Sequence, residues 1–173
     1  VLERLNERMI AFIREQSLAF ISTASESGEC DCSFRTGPKG FVHVLDDKTL
    51  VYPELRGNGV LASLANIAEN PHIAVLFLDF EASGIGLHVN GRAEILENHE
   101  LLRRQELPAD IPRSIEEDGG LRPERSVSIR VEEAYIHCAK HVPRFQRLPK
   151  TTPWGTDDEA AKGGDFFGAA EIP

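Results

Sequence analysis

Apolar and polar positions along the chain alternate between two periods. Leu2, Leu5, Met9, Phe12 and Ile13 recur at helical spacing with charges between them, which predicts an amphipathic helix over residues 2–16. Leu18 to Ala24 reads as a strand closed by the polar turn at Ser25 to Gly28, and Cys30 to Phe34 alternates like a second strand. Phe41 to Leu45 and Thr49 to Tyr52 flank Asp46-Asp47-Lys48 as a hairpin, with Pro53 suited to a strand end. The period then turns helical through Leu61, Leu64 and Ile67, and Asn70-Pro71 stops that helix. Ile73 to Phe80 is nearly all apolar, as a central strand would be, and Gly86 to Leu96 alternates as its partner. Residues 97–105 suit a short helix, 108–123 a long loop, and Ser126 to Cys138 a last long strand or strand pair. Strands at hairpin spacing with few helices predict an antiparallel barrel with peripheral helices.

Composition narrows the function classes. The 173 residues carry 28 acidic and 19 basic side chains, a net charge of −9, without the basic excess of a general nucleic-acid binder. No apolar run approaches the roughly 20 residues of a membrane-spanning helix. The opening residues lack the charged-then-apolar order of a secretion signal. Three cysteines make no disulfide framework, which points to a reducing cytoplasm.

Candidate chemistry concentrates in Tyr52 to Leu64. There a strand ends, a loop carries Arg56, Gly57, Asn58 and Gly59, and a helix begins. Free N–H groups at a helix start, glycines that admit close approach and a forked cation suit a phosphate. A plain strand–helix connection capped by Asn58 fits the same residues. Arg35 and Lys39 bracket a turn, as anion-binding cations or as ordinary surface charges. His88, Asn90 and Arg92 share one strand face, which lines a cleft or faces solvent. Lys140 is a cation at a strand end. Cys30, Cys32, His137 and Cys138 lack zinc-site spacing, so no metal is expected, and small buried cysteines are the commoner outcome. No nucleophile signature such as GxSxG occurs, and no catalytic residue is assigned.

The order of these segments resembles a known family. Phe20-Ile21-Ser22-Thr23-Ala24, Cys32-Ser33-Phe34-Arg35, Gly40 to Leu50, Tyr52-Pro53, Arg56-Gly57-Asn58, Glu69-Asn70-Pro71, Val89 to Ala93 and Glu133 to Lys140 together look like the pyridoxamine 5′-phosphate oxidase-like FMN-binding split-barrel proteins. The resemblance implies a six-stranded antiparallel Greek-key split barrel over residues 1–148, with residues 149–173 as an arm on the barrel or the partner. It implies a homodimer with FMN in two clefts between subunits. Phe41, Val42 and His43 would lie beside the flavin, Val51, Tyr52 and Pro53 would form the next wall, and Arg56, Gly57 and Asn58 would sit near the phosphate. Arg35 and Lys140 would be second-line cations. Oxidases of the family carry Ser-Arg-Lys before the helix, whereas this chain has Gly57-Asn58-Gly59-Val60. The implied activity is that of a flavin-dependent oxidoreductase of unknown substrate. Alternatives are a non-catalytic module for flavin, F420 or haem, and an apo structural dimer.

Overall fold

The computed structural model describes residues 1–55, 61–104, 107–116, 123–152, 156, 158 and 160–168. Among these residues seven strands form one antiparallel sheet: β1 (Leu18–Ala24), β2 (Cys30–Thr36), β3 (His43–Asp46), β4 (Thr49–Glu54), β5 (His72–Leu78), β6 (Gly86–Leu96) and β7 (Arg125–His137). Their order is β2-β1-β5-β6-β7-β4-β3. The expected count of six strands is corrected to seven, because even the short β3 finds a ladder with β4 and buries Val44 beside Leu50.

The sheet curls. Ile21 of β1 and Val44 and Leu50 of β3 and β4 lie near opposite ends of the strand order, yet share one hydrophobic cluster with Phe77, Val89 and Ile129. Its two edges, β2 and β3, are not hydrogen-bonded to each other, which leaves a seam. Helix α2 (Ala62–Glu69) packs on β1, β2 and β6 and buries Leu64 and Ile67. The reading of Asn58 as its cap is not what is found: the N-cap is Leu61, in the left-handed region at φ 53°, with no side-chain cap bond.

Helix α1 runs over Glu7–Glu15, shorter than the expected 2–16. The Asn6 side chain accepts the Met9 N–H at 3.0 Å and so caps it. Leu2 instead bridges Ala134 of β7, and the Leu5 N–H donates to the Asp47 carbonyl while its side chain is buried. Ile13 is fully buried, which stabilises the docked helix by roughly 1.5–3 kcal/mol.

Two short helices, α3 (Asn98–Leu101) and α4 (Asp110–Glu116), cover the outer face of β4. Leu101, Ile111 and Ile115 form a second cluster with Val51 and Leu96. The expected loop at 108–123 is therefore corrected over 110–116. Pro112 sits in the first turn of α4, where a missing N–H costs little. β7 is one strand, and it bulges opposite Asn90 and Gly91. A Cβ on Gly91 would lie 2.0 Å from the Arg130 carbonyl oxygen, so only glycine fits there.

Candidate functional site

A cleft of about 170 Å³ opens between the outer face of the β3–β4 edge and the turn before it, lined by Gly37, Phe41, His43, Pro53, Leu55 and Asp110 among others. The turn is fixed by hydrogen bonds: the Gly37 N–H donates to the Ser17 carbonyl, the Gly40 N–H to that of Gln16, and the Phe41 N–H to that of Pro38. Phe41 folds back over Gly37, where a Cβ would lie 2.4 Å from the Phe41 Cβ. His43 projects from β3 and is held by Asp110 of α4, with Nδ1 and Oδ2 3.1 Å apart. Burial keeps the imidazole pKa below its ordinary value despite the pull of Asp110. His43 is therefore a neutral ring at pH 7 that donates Nδ1–H to Asp110 and presents Nε2 as an acceptor.

Beside this cleft a polar cluster bridges the seam. Asp31, Ser33 and Arg35 lie on the face of β2 whose cross-strand partners Thr23, Ile21 and Ala19 are buried. The Arg35 guanidinium grips Glu54 at the end of β4 at 2.8 and 3.2 Å, and a longer contact of 3.4 Å reaches Ser63 in the first turn of α2. The Ser63 hydroxyl lies 3.0 Å from Asp31 and 3.1 Å from Ser33. Glu54 is 6% exposed, and burial pushes its carboxyl above the usual range against the opposing pull of Arg35. The pair thus ties one edge of the sheet to the strand beside the other edge.

The structure gathers some of the anticipated residues and separates others. Phe41, His43 and Pro53 line the cleft together. Val42, Val51 and Tyr52 are buried in the chain's own clusters, which leaves none of their side chains to a ligand. The Tyr52 hydroxyl is buried without a hydrogen-bond partner among the described residues, and desolvation raises its pKa. Arg35 is occupied by Glu54, and the exposed Lys39 by Glu15 at 2.9 Å. Lys140 lies on a single 3-10 turn beyond one end of β7, whereas Tyr52 and Pro53 pair with the other end. Arg56, Gly57 and Asn58 lie outside the described residues. All three cysteines are exposed rather than buried, because Cys30 and Cys32 point outward from an edge strand and Cys138 follows the end of β7. Sequence reasoning missed Asp110, Glu54 and Ser63, whose partners are remote along the chain.

No helix among the described residues is long and apolar enough to cross a membrane. No curated protein sequence matches the chain. Solved structures do. HupZ of group A Streptococcus is 22% identical, covering 76% of this chain and 93% of its own, with a TM-score of 0.55. A pyridoxamine 5′-phosphate oxidase-type protein of Lactobacillus delbrueckii is 19% identical, covering 78% and 95%, with a TM-score of 0.52. General stress protein 26 of Bacillus anthracis is 20% identical, covering 82% and 97%, with a TM-score of 0.50. Identities this low establish a shared fold. The family model for pyridoxamine 5′-phosphate oxidase matches residues 5–138, from the first buried leucine to the end of β7, and the chain belongs to that family.

Proposed function

We propose that the protein is an FMN-binding oxidoreductase of this family, acting on a small molecule as a cytoplasmic homodimer with its cofactor between subunits. The observation that carries this reading is the cleft at His43. It is preformed, one wall is apolar, and His43 and Asp110 add a fixed polar contact. At about 170 Å³ it is smaller than the roughly 300–1,000 Å³ of typical small-molecule sites, as expected of a half-site completed by a second subunit.

A bound flavin supplies the electron chemistry, and the protein binds, orients and tunes it. Phe41 and Pro53 exclude water from one side, and His43 Nε2 accepts a hydrogen bond at a defined point. The phosphate is assigned to Arg56, Gly57 and Asn58, with Lys140 a second-line cation that, lying beyond the other end of β7 from Tyr52 and Pro53, would serve the site of a second subunit. Residues 149–173 are assigned as an arm on the barrel or the partner, and the exposure of Phe166 and Phe167 favours the partner. A second reading is a non-catalytic module for flavin, F420 or haem; Arg35 is held by Glu54, which leaves one cation fewer for the phosphate of a tightly held FMN.

The test is an absorbance spectrum before and after adding FMN, followed by gel filtration. Flavin bands retained at dimer size, bleached by reduced nicotinamide and restored by a substrate, support the oxidoreductase. Retained bands that no reductant bleaches support the module. A colourless protein that takes up no FMN overturns the FMN assignment.

A further inference from the structure

Away from the His43 cleft, β6 and β7 bring two imidazoles together. His88 lies between the buried Leu87 and Val89, so it faces outward from the sheet. The register pairs His88 with Tyr135 and Gly86 with His137, which makes His88 and His137 diagonal neighbours on one face. His88 Nε2 and His137 Nδ1 are 2.9 Å apart.

Two features hold this arrangement. The His88 ring stacks on Tyr135, with centroids 4.7 Å apart and planes inclined by 17°. His137 leans over Gly86, where a Cβ would lie 2.7 Å from the His137 Cβ, so any larger residue would displace the histidine.

We propose that His88 and His137 form a two-imidazole clamp for a divalent transition-metal ion such as Zn²⁺, with the remaining coordination positions open to water. Two nitrogens each about 2.0–2.1 Å from a tetrahedral zinc stand about 3.3 Å apart. Opening the observed pair by about 0.4 Å, with the shared proton moved off these two nitrogens and both lone pairs turned towards a common point, seats the ion. Imidazole ligands select zinc, nickel or copper over magnesium and calcium, which prefer oxygen. Among the described residues no group of three or more His, Cys, Asp and Glu forms a fuller site, so the ion would keep exchangeable positions. An N–H···N hydrogen bond uses the same geometry without a metal, and this inference stands independently of the flavin reading.

The experiment is isothermal titration of Zn²⁺ into the full chain carrying Cys30→Ser, Cys32→Ser and Cys138→Ser, which silences competing thiols. The expected result is one zinc per chain. Affinity falls by at least about tenfold in His88→Ala and in His137→Ala, and Mg²⁺ gives no binding. His137→Gln keeps the side-chain volume and replaces His137→Ala if that variant loses its fold. Gly86→Ala, which retains both rings but displaces one, also weakens binding. Absence of zinc binding at millimolar excess, or affinity unchanged by loss of either histidine, overturns the clamp.

Discussion

The Arg35–Glu54 pair is a direct test of what holds the seam. Glu54 is 6% exposed and receives two guanidinium contacts, at 2.8 and 3.2 Å, while the Arg35 side chain is 20% exposed. Removing one partner of a buried pair costs about 3–5 kcal/mol, because the other charge is left uncompensated. In Glu54→Gln the orphaned guanidinium is partly hydrated, which places the cost near the lower end, about 3 kcal/mol. With a urea slope of about 2–3 kcal/mol/M for a chain of this size, the midpoint falls by about 1–1.5 M. Arg35→Met behaves differently. It leaves a buried carboxyl whose pKa burial already raises, and Glu54 escapes by binding a proton. A carboxyl raised in the folded state contributes its stability below the ordinary carboxylate range and loses it as pH rises through the folded value. Arg35→Met is therefore less stable at pH 8 than at pH 5, and Glu54→Gln lacks that added slope. The apolar double variant Arg35→Met/Glu54→Leu recovers most of the loss, since replacing a buried ion pair by packed hydrophobes is often neutral. Single variants that each cost less than about 1 kcal/mol, with no coupling in the double-mutant cycle, would refute the ionic tie.

Other expectations are simpler. Arg56→Ala weakens FMN binding by more than about tenfold, since a charged hydrogen bond is worth roughly 1.5–3 kcal/mol; a fluorescence titration checks it, and unchanged affinity removes Arg56 from the phosphate site. Against the opposing effect of burial, the Asp79 carboxylate accepts from the Ser83 hydroxyl and from the backbone N–H groups of Ala82, Ser83 and Glu81, which lowers its pKa from 3.8 to about 2. That stabilisation is present above pH 3.8 and is lost as pH falls towards 2. Asp79→Ala thus costs about 1 kcal/mol at neutral pH, discounted for solvent screening, and denaturation curves of variant and parent converge in acid. Gly91→Ala forces a methyl against the Arg130 carbonyl and costs about 3 kcal/mol, read from thermal melts; a neutral outcome contradicts the bulge geometry.

Some elements are plain in the sequence because one local rule governs them. Strands β1 and β6 coincide with the alternating runs Leu18–Ala24 and Gly86–Leu96, where every second side chain is buried or nearly so. Other elements answer to distant partners. Leu2 fits the period of α1 yet pairs with β7, because a place beside Ala134 is available only once the sheet exists. Helix α4 is short and holds a proline, and its cause is Val51 and Leu96 beneath Ile111 and Ile115. The candidate site divides in the same way. Phe41, His43 and Pro53 are adjacent in a local hairpin and were readable. The ties from Arg35 to Glu54 and from His43 to Asp110 join different elements, and no local pattern announces them.

The place of β7 in the sheet bears on synthesis. It is the last of the described strands in chain order, yet it lies between β6 and β4, and among these strands it is the one link of β3–β4 to the rest of the sheet. While the ribosome is still making residues before Arg125, the nascent chain can assemble only β2-β1-β5-β6, with β6 as an open edge and the β3–β4 hairpin adrift. The amino-terminal residues wait as well, since Leu2 pairs with Ala134. Such late, long-range closure slows folding and leaves the β6 edge open to other strands until β7 is added.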